Sequence, residues 1–306
     1  MEMQQFLIFV ISLSALLLGA RLLTDNARHI AKAAGVSEFV IGATIVAFGT
    51  SLPELASSIF AMLSGHPGLV VGNVIGSNAA NIGLALGLAS LLFPVYVSRQ
   101  ITDTDVPLLL ASAIAVLVAF IDLQVTMVEG IALILMYLAF INHEIGQQQN
   151  SNETAKKKHE KLDFWQFAPF FLGMALLYAG ARYLVSSALA ISQNLAISET
   201  LISFFLVAVG TSLPEMATSV IAAKSGRYEI AMGNILGSNT FNSLIILGAS
   251  SLFAPVTAES AFILSTLPAM ILLSFLLGFM CLNNTITRLE GILLFLIYII
   301  LAINLI

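Results

Sequence analysis

Residues 49–54 read GTSLPE, and residues 210–215 read GTSLPE again. Each copy places a proline and a glutamate inside a long apolar stretch. Proline lacks a backbone N–H and clashes with the carbonyl four residues earlier, and the glycine loosens the same turn. An ionised side chain deep in a membrane helix is costly and faces a polar cavity or a partner. The motif therefore marks two places where an apolar helix is opened and a carboxylate introduced.

The surrounding chain is that of an integral membrane protein. Of its 306 residues, 58% are hydrophobic and only 9% charged, against about 25% charged in soluble domains. Apolar runs long enough for the roughly 20 residues that a membrane helix needs are expected at 5–24, 36–63, 69–93, 104–121, 125–143, 165–184, 198–223, 229–253, 259–281 and 288–305. The runs are continuous rather than alternating, which excludes a barrel. The first run lacks a basic leader and a small-residue cleavage site, so a retained span is expected. The single Cys281 excludes an internal disulfide and argues against a thiolate metal site. His29, His66, His143 and His159 fall at span ends or in loops, which argues against a buried histidine relay.

Basic residues orient the spans. With the N-terminus outside, Arg21, Arg28, Lys32, Arg99, Lys156, Lys157, Lys158, Lys161, Lys224, Arg227 and Arg288 lie inside and only Arg182 outside. Both termini are then outside, and the polar linker 146–163, with its KKKHEK segment, is cytoplasmic. Localisation in the cell (inner or plasma) membrane is expected.

Pairing residue n with n+161 needs no gap from Gly42 to Val95, and 25 of those 54 pairs are identical. The register extends to GAR at 19–21 and 180–182 and to EG at 129–130 and 290–291. Each half is therefore a five-span unit: 1–145 with a repeat core at about 36–95, and 164–306 with its counterpart at about 198–256. Because five is odd, the second unit enters the bilayer from the opposite side. The expected fold class is all-α integral membrane, ten transmembrane helices in two five-helix inverted-topology repeats. Such repeats belong chiefly to secondary transporters, with the substrate site at the midplane.

Glu54 and Glu215 are the two acidic residues placed deep in spans, and no lysine or arginine lies at comparable depth. A cation from solution is the expected partner. Carbonyls of Ala47 and Ala208 or their neighbours, freed by the proline, join the hydroxyls of Thr50 and Ser51 and the Glu54 carboxylate as hard oxygen donors, suited to Na+, Ca2+ or Mg2+. The next spans read GNVIGSNAANIG (72–83) and GNILGSNTFNSL (233–244). Asn73, Ser77 and Asn81 share one helical face, as do Asn234, Ser238 and Asn242. The same residues, with Gly72, Gly76, Gly233 and Gly237, also suit plain helix packing, an alternative that weighs most on Asn73, Asn78, Asn234 and Asn239. Two carboxylates brought together balance one divalent or two monovalent cations, the electrostatic basis for exchange, and protons compete for the same oxygens.

With GTSLPE followed by GN(V/I)(I/L)GSN, twice, the chain resembles the cation/calcium exchanger superfamily, in particular prokaryotic sodium/calcium exchanger-like antiporters. The resemblance covers nearly the whole chain. It implies an ion pocket between the two repeats, with the first and sixth helices sliding over the core. The coordinating positions it implies are Ala47, Thr50, Ser51, Glu54, Ser77 and Asn81, then Ala208, Thr211, Ser212, Glu215, Ser238 and Asn242. Well-studied relatives carry an aspartate where this chain has Asn242, so the pocket's maximum formal charge falls from −3 to −2.

The expected function is secondary antiport of Ca2+ against Na+ by alternating access, normally extruding calcium, without a cofactor. Ca2+/H+ exchange, or exchange of another divalent cation such as Mg2+, is the alternative in the same pocket. A cation channel is a more distant alternative. The chain is not expected to be an enzyme: no HExxH or GxSxG motif appears, and no His or Lys stands near the GTS hydroxyls as a base. The expected partners are the lipid bilayer and the ions, with no nucleic acid and no obligate protein partner.

Overall fold

The computed structural model describes residues 2–33, 47–148 and 168–305. The start of the span expected at 36–63 and nearly all of the linker expected at 146–163 lie outside the described residues. The described chain is nearly all helical. Its helices are α1 (Glu2–Ala33), α2 (Ala47–Thr50), α3 (Leu52–Leu63), α4 (Pro67–Leu92), α5 (Ile101–Ala119), α6 (Met127–Gln148) and α7 (Ala168–Leu195), followed by α8 (Glu199–Thr211), α9 (Leu213–Lys224), α10 (Tyr228–Ser251), α11 (Ser260–Cys281) and α12 (Arg288–Asn304). Among the described residues six helices are long and apolar enough to cross a membrane, or seven if α8 and α9, bent by 44° at their junction, form one span. The chain is thus a multi-pass membrane protein. Large apolar side chains such as Phe6, Ile11, Ile121, Val128 and Phe171 are exposed, as a lipid-facing surface requires.

Two helices form the interior. In its most apolar stretch α4 is 94% buried and α10 72% buried, whereas α1 and α5 are each 33% buried. The long helices α1 and α7 pack along one another, and glycine permits the approach. A methyl group on Gly180 would lie 2.6 Å from the backbone nitrogen of Leu16, and one on Gly19 would lie 2.8 Å from the Gly173 carbonyl. Where lipid tails are as apolar as leucine, such backbone contact holds helices together by close packing.

The 161-residue register persists in the structure. The segments 52–63, 67–80, 95–96 and 124–125 recur as 213–224, 228–241, 256–257 and 285–286. The EG dipeptides also recur in role. The Glu129 and Glu290 carboxylates each accept the backbone N–H three residues earlier, from Thr126 and Thr287, at 2.7 Å, capping α6 and α12.

The short strands β1 (Val95–Tyr96), β2 (Gln124–Val125), β3 (Val256–Thr257) and β4 (Thr285–Ile286) were not expected from an all-helical sequence pattern. Each pairs with a strand of the other half: Val95 opposite Ile286 and Tyr96 opposite Thr285, Gln124 opposite Thr257 and Val125 opposite Val256. Adding 161 to the first-half residue of one pairing and subtracting it from the second-half residue generates the other. The halves therefore clasp reciprocally at both ends of the interior helices.

Candidate cation site

GTSLPE interrupts a helix in both halves. Ser51, between α2 and α3, has φ −92° and ψ 7°, and Ser212, between α8 and α9, has φ −81° and ψ 4°. Both lie in the sparsely populated bridge region where many active-site residues sit. Pro53 and Pro214 fall at the start of the new helices, where a missing N–H costs nothing. Glu54 and Glu215 consequently stand in the first turns of α3 and α9, whose unpaired N–H groups favour negative charge. Glu54 is 1% exposed and Glu215 0%.

Each carboxylate has a serine hydroxyl partner from the other half. Ser51 Oγ lies 3.3 Å from Glu215 Oε1, and Ser212 Oγ lies 3.3 Å from Glu54 Oε1. Ser238 joins the first group, 3.3 Å from Glu215 Oε1 and 3.0 Å from Ser51 Oγ. The broken helices are stapled to the interior by amides. Asn73 Nδ2 donates to the Glu54 carbonyl at 3.1 Å, and Asn234 Nδ2 donates to the Glu215 carbonyl at 3.2 Å.

A π-turn follows in each interior helix, over 81–86 in α4 and 242–246 in α10. Such turns are frequent at functional sites, and here Asn81 and Asn242 open them. Asn81 Nδ2 donates to Asn239 Oδ1 at 3.0 Å, and Asn242 Nδ2 donates to Asn78 Oδ1 at 3.1 Å. The turn at Asn81 packs against α9, and the turn at Asn242 against α3. Each asparagine thus lies beside the helix that carries the other half's glutamate.

Four oxygens stand out. Glu54 Oε2, Glu215 Oε2, Asn81 Oδ1 and Asn242 Oδ1 are buried and accept no hydrogen bond among the described residues. No ion pair among the described residues reaches either glutamate. Orphaned buried acceptors are rare and call for an explanation. Two carboxylate and two amide oxygens are hard donors of the kind that suit Na+ or Ca2+. Among the described residues no cluster of three or more His, Cys, Asp and Glu is poised to hold a metal ion.

Other expected positions behave differently. The Ala208 carbonyl is not freed: it accepts Ser212 N–H at 3.0 Å and lies 3.3 Å from Thr211 Oγ1. The reason is register, because the N–H missing at Pro214 belongs to the carbonyl four residues back, at Gly210. Thr211 bonds the Val207 carbonyl at 2.9 Å and Thr50 reaches Asn234 Oδ1 at 3.3 Å in the other half, while each threonine also lies against the opposite half's carboxylate, Thr211 at Glu54 and Thr50 at Glu215. Ser77 bonds Asn73 Oδ1 at 3.4 Å within its own helix, unlike Ser238. Ala47 opens α2. A cavity of about 430 Å³ adjoins Thr50, Gly49 and Pro53, with Arg21, Thr24 and Asp25 of α1 along its wall.

Two features lay beyond the sequence. Asn78 and Asn239, for which packing was an alternative by their pattern, hold the amides of Asn242 and Asn81. His66 Nδ1 lies 2.6 Å from Glu199 Oε2 and ties the start of α4 to the start of α8. The recurring GSN tripeptide was the signal for the first, and the sequence held none for the second.

The family model described as sodium/calcium exchanger protein matches twice, over residues 4–145 and 165–306, again 161 residues apart. The sodium/calcium exchanger MaX1 of Methanosarcina acetivorans is 35% identical, over 96% of this chain and 96% of its own. An uncharacterised membrane protein of Methanocaldococcus jannaschii, MJ0091, is 32% identical over 95% of each chain. The solved structure of the sodium-calcium exchanger NCX_Mj soaked with 10 mM Na+ and zero Ca2+ superposes with a TM-score of 0.69 at 31% identity, covering 99% of both chains. With two broken helices, two buried glutamates and a family match over both halves, the chain belongs to the sodium/calcium exchanger family of the cation/calcium exchanger superfamily, a family of transporters.

Proposed function

We propose that this protein exchanges Ca2+ for Na+ across the membrane by alternating access, and that its normal direction is calcium extrusion. The observation that carries the reading is the set of four buried acceptor oxygens from Glu54, Glu215, Asn81 and Asn242, contributed equally by the two halves. A desolvated carboxylate pair without a basic partner is costly, and a bound cation offsets that cost. Two negative charges are balanced by one Ca2+ or by two Na+, so each ion excludes the other, which is the condition for coupled exchange. The remaining coordination is proposed to come from Thr50, Ser51, Ser77, Thr211, Ser212 and Ser238, and from the carbonyls of Ala47 and Ala208, the latter with the Thr211 proton held on the Val207 carbonyl.

The architecture proposed is ten transmembrane helices in two oppositely oriented five-helix halves, 1–145 and 164–306, joined by a cytoplasmic linker, with both termini outside. The reciprocal strand pairings and the reciprocal serine–glutamate bonds support it, because both follow from one two-fold operation. The cavity between α1 and Thr50 offers ions a route to the site, and α1 and α7, packed on one another by glycine, suit a unit that slides over the interior helices.

The test is calcium uptake into proteoliposomes loaded with sodium, potassium or acid. Uptake that follows the sodium gradient supports the reading. Uptake that follows only the pH gradient replaces it with Ca2+/H+ exchange, and flux that needs no counter-ion points to a channel.

A further inference from the structure

Resting on the exchanger reading above, we propose that Asn78 and Asn239 are the positioning residues of the cation site: each clamps the amide nitrogen of an asparagine in the opposite half and so commits that side chain's oxygen to the ion.

Asn242 Nδ2 donates to Asn78 Oδ1 at 3.1 Å, and Asn81 Nδ2 donates to Asn239 Oδ1 at 3.0 Å. The two bonds interchange when 161 is added to one residue of each pair and subtracted from the other. A carboxamide has a donor end and an acceptor end, so fixing the nitrogen leaves the oxygen as the end free to accept. In both asparagines that oxygen is buried and accepts nothing among the described residues.

The clamps are themselves fixed. Asn78 Nδ2 donates to Ser243 Oγ at 2.8 Å, and Asn239 Nδ2 donates to the Asn78 carbonyl at 3.1 Å. Asn78 is 2% exposed and Asn239 0%. Neither amide is therefore free to rotate without breaking a second bond.

Packing alone does not account for this pattern. Amides that serve as interhelical glue satisfy both ends, because a buried acceptor left unpaired costs about 1–3 kcal/mol. Here only the nitrogens are satisfied, in both halves. The reversed amide would present N–H groups to a cation and repel it. The clamps exclude that orientation at the outset, which is preorganisation of a coordination shell rather than adhesion of two helices.

The clamp also matches the residue it holds. Asn78 offers Asn242 an acceptor, which suits an amide and opposes a carboxylate. An aspartate at 242 would meet oxygen with oxygen until Asn78 gave up Ser243 and turned its own nitrogen round.

Two near-isosteric substitutions separate positioning from packing. Asn78→Leu keeps volume and removes the acceptor, whereas Asn78→Asp keeps the acceptor oxygen. Asn78→Leu is expected to raise the calcium KM about tenfold, the worth of one hydrogen bond in a charged site, with the maximal rate changed less than about twofold. Asn78→Asp is expected to bind calcium at least as well as the parent, to within about threefold. In an Asn242→Ala background the effect of Asn78→Leu on KM should vanish, since coupled residues are non-additive. The mirrored Asn239→Leu and Asn239→Asp pair, with Asn81→Ala as background, supplies the same comparison should Asn78→Leu fail to fold.

An unaltered KM in the leucine variants, equal losses in leucine and aspartate variants, or strictly additive effects would overturn the proposal. Parent protein without sodium-driven calcium flux would refute the exchanger reading alone. Calorimetric titration of the same purified variants with Ca2+ would then still decide the positioning role.

Discussion

Ser51 of the first half lies 3.3 Å from the carboxylate of Glu215 in the second, and Ser212 stands at the same distance from Glu54. Each carboxylate is thus oriented by the motif that contains the other. The proposed site is thus shared by the two halves, and loss of either motif is expected to disable it.

Glu54→Gln and Glu215→Gln keep shape and remove charge. Each is expected to reduce sodium-driven calcium uptake in proteoliposomes by at least about 100-fold, because charge balance at the site fails. Thermal unfolding in detergent should hold or rise, since an unpaired buried carboxylate destabilises the apoprotein. Full transport by either variant would contradict the proposed role.

Ser51→Ala and Ser212→Ala remove the hydroxyls at the opposite carboxylates. Hydrogen bonds to charged groups contribute about 1.5–3 kcal/mol, so the calcium KM should rise roughly tenfold in each. Comparable effects at the two positions are expected from the reciprocal geometry, and tracer-flux titrations compare them directly.

Asn242→Asp raises the formal charge of the pocket from −2 to −3. The variant should carry one more positive counter-charge per calcium, read as a change in current per transported ion on a supported membrane. Equal charge per cycle in parent and variant would show that residue 242 does not set the stoichiometry.

Calcium should stabilise the purified protein. At about 100 times Kd a ligand adds roughly 2.7 kcal/mol to folding, so chelation should lower the melting temperature by about 5 °C or more. Glu215→Gln should show no such shift.

Gly180→Leu tests the contact between α1 and α7. A side chain there meets the backbone of Leu16, and overpacking of this kind costs about 1–3 kcal/mol. A lower melting temperature is expected, measured by the temperature dependence of monodispersity.

Much of the site was legible in the chain because its signals are local. Proline and glycine open a helix wherever they occur, and a glutamate in an apolar run announces itself by cost alone. Other details depended on partners far away in sequence. Ala208 kept its hydrogen bond because the proline's register spares it, and Thr50 and Thr211, identical in sequence context, found different acceptors. For Asn78 the sequence pattern left packing as an alternative, and its contact with Asn242 depends on the other half.

The sequence alone determined that the chain is a membrane protein, that it is duplicated with a 161-residue register, and that two carboxylates lie at breaks in apolar helices. Those properties follow from composition, periodicity and the covalent geometry of proline. Only the tertiary structure decided which hydroxyl serves which carboxylate, that the halves exchange strands, and that the amides of Asn81 and Asn242 are clamped from the opposite half. These pairings join residues about 160 positions apart. Contacts at that separation depend on how the two halves are oriented and packed, which no local pattern encodes.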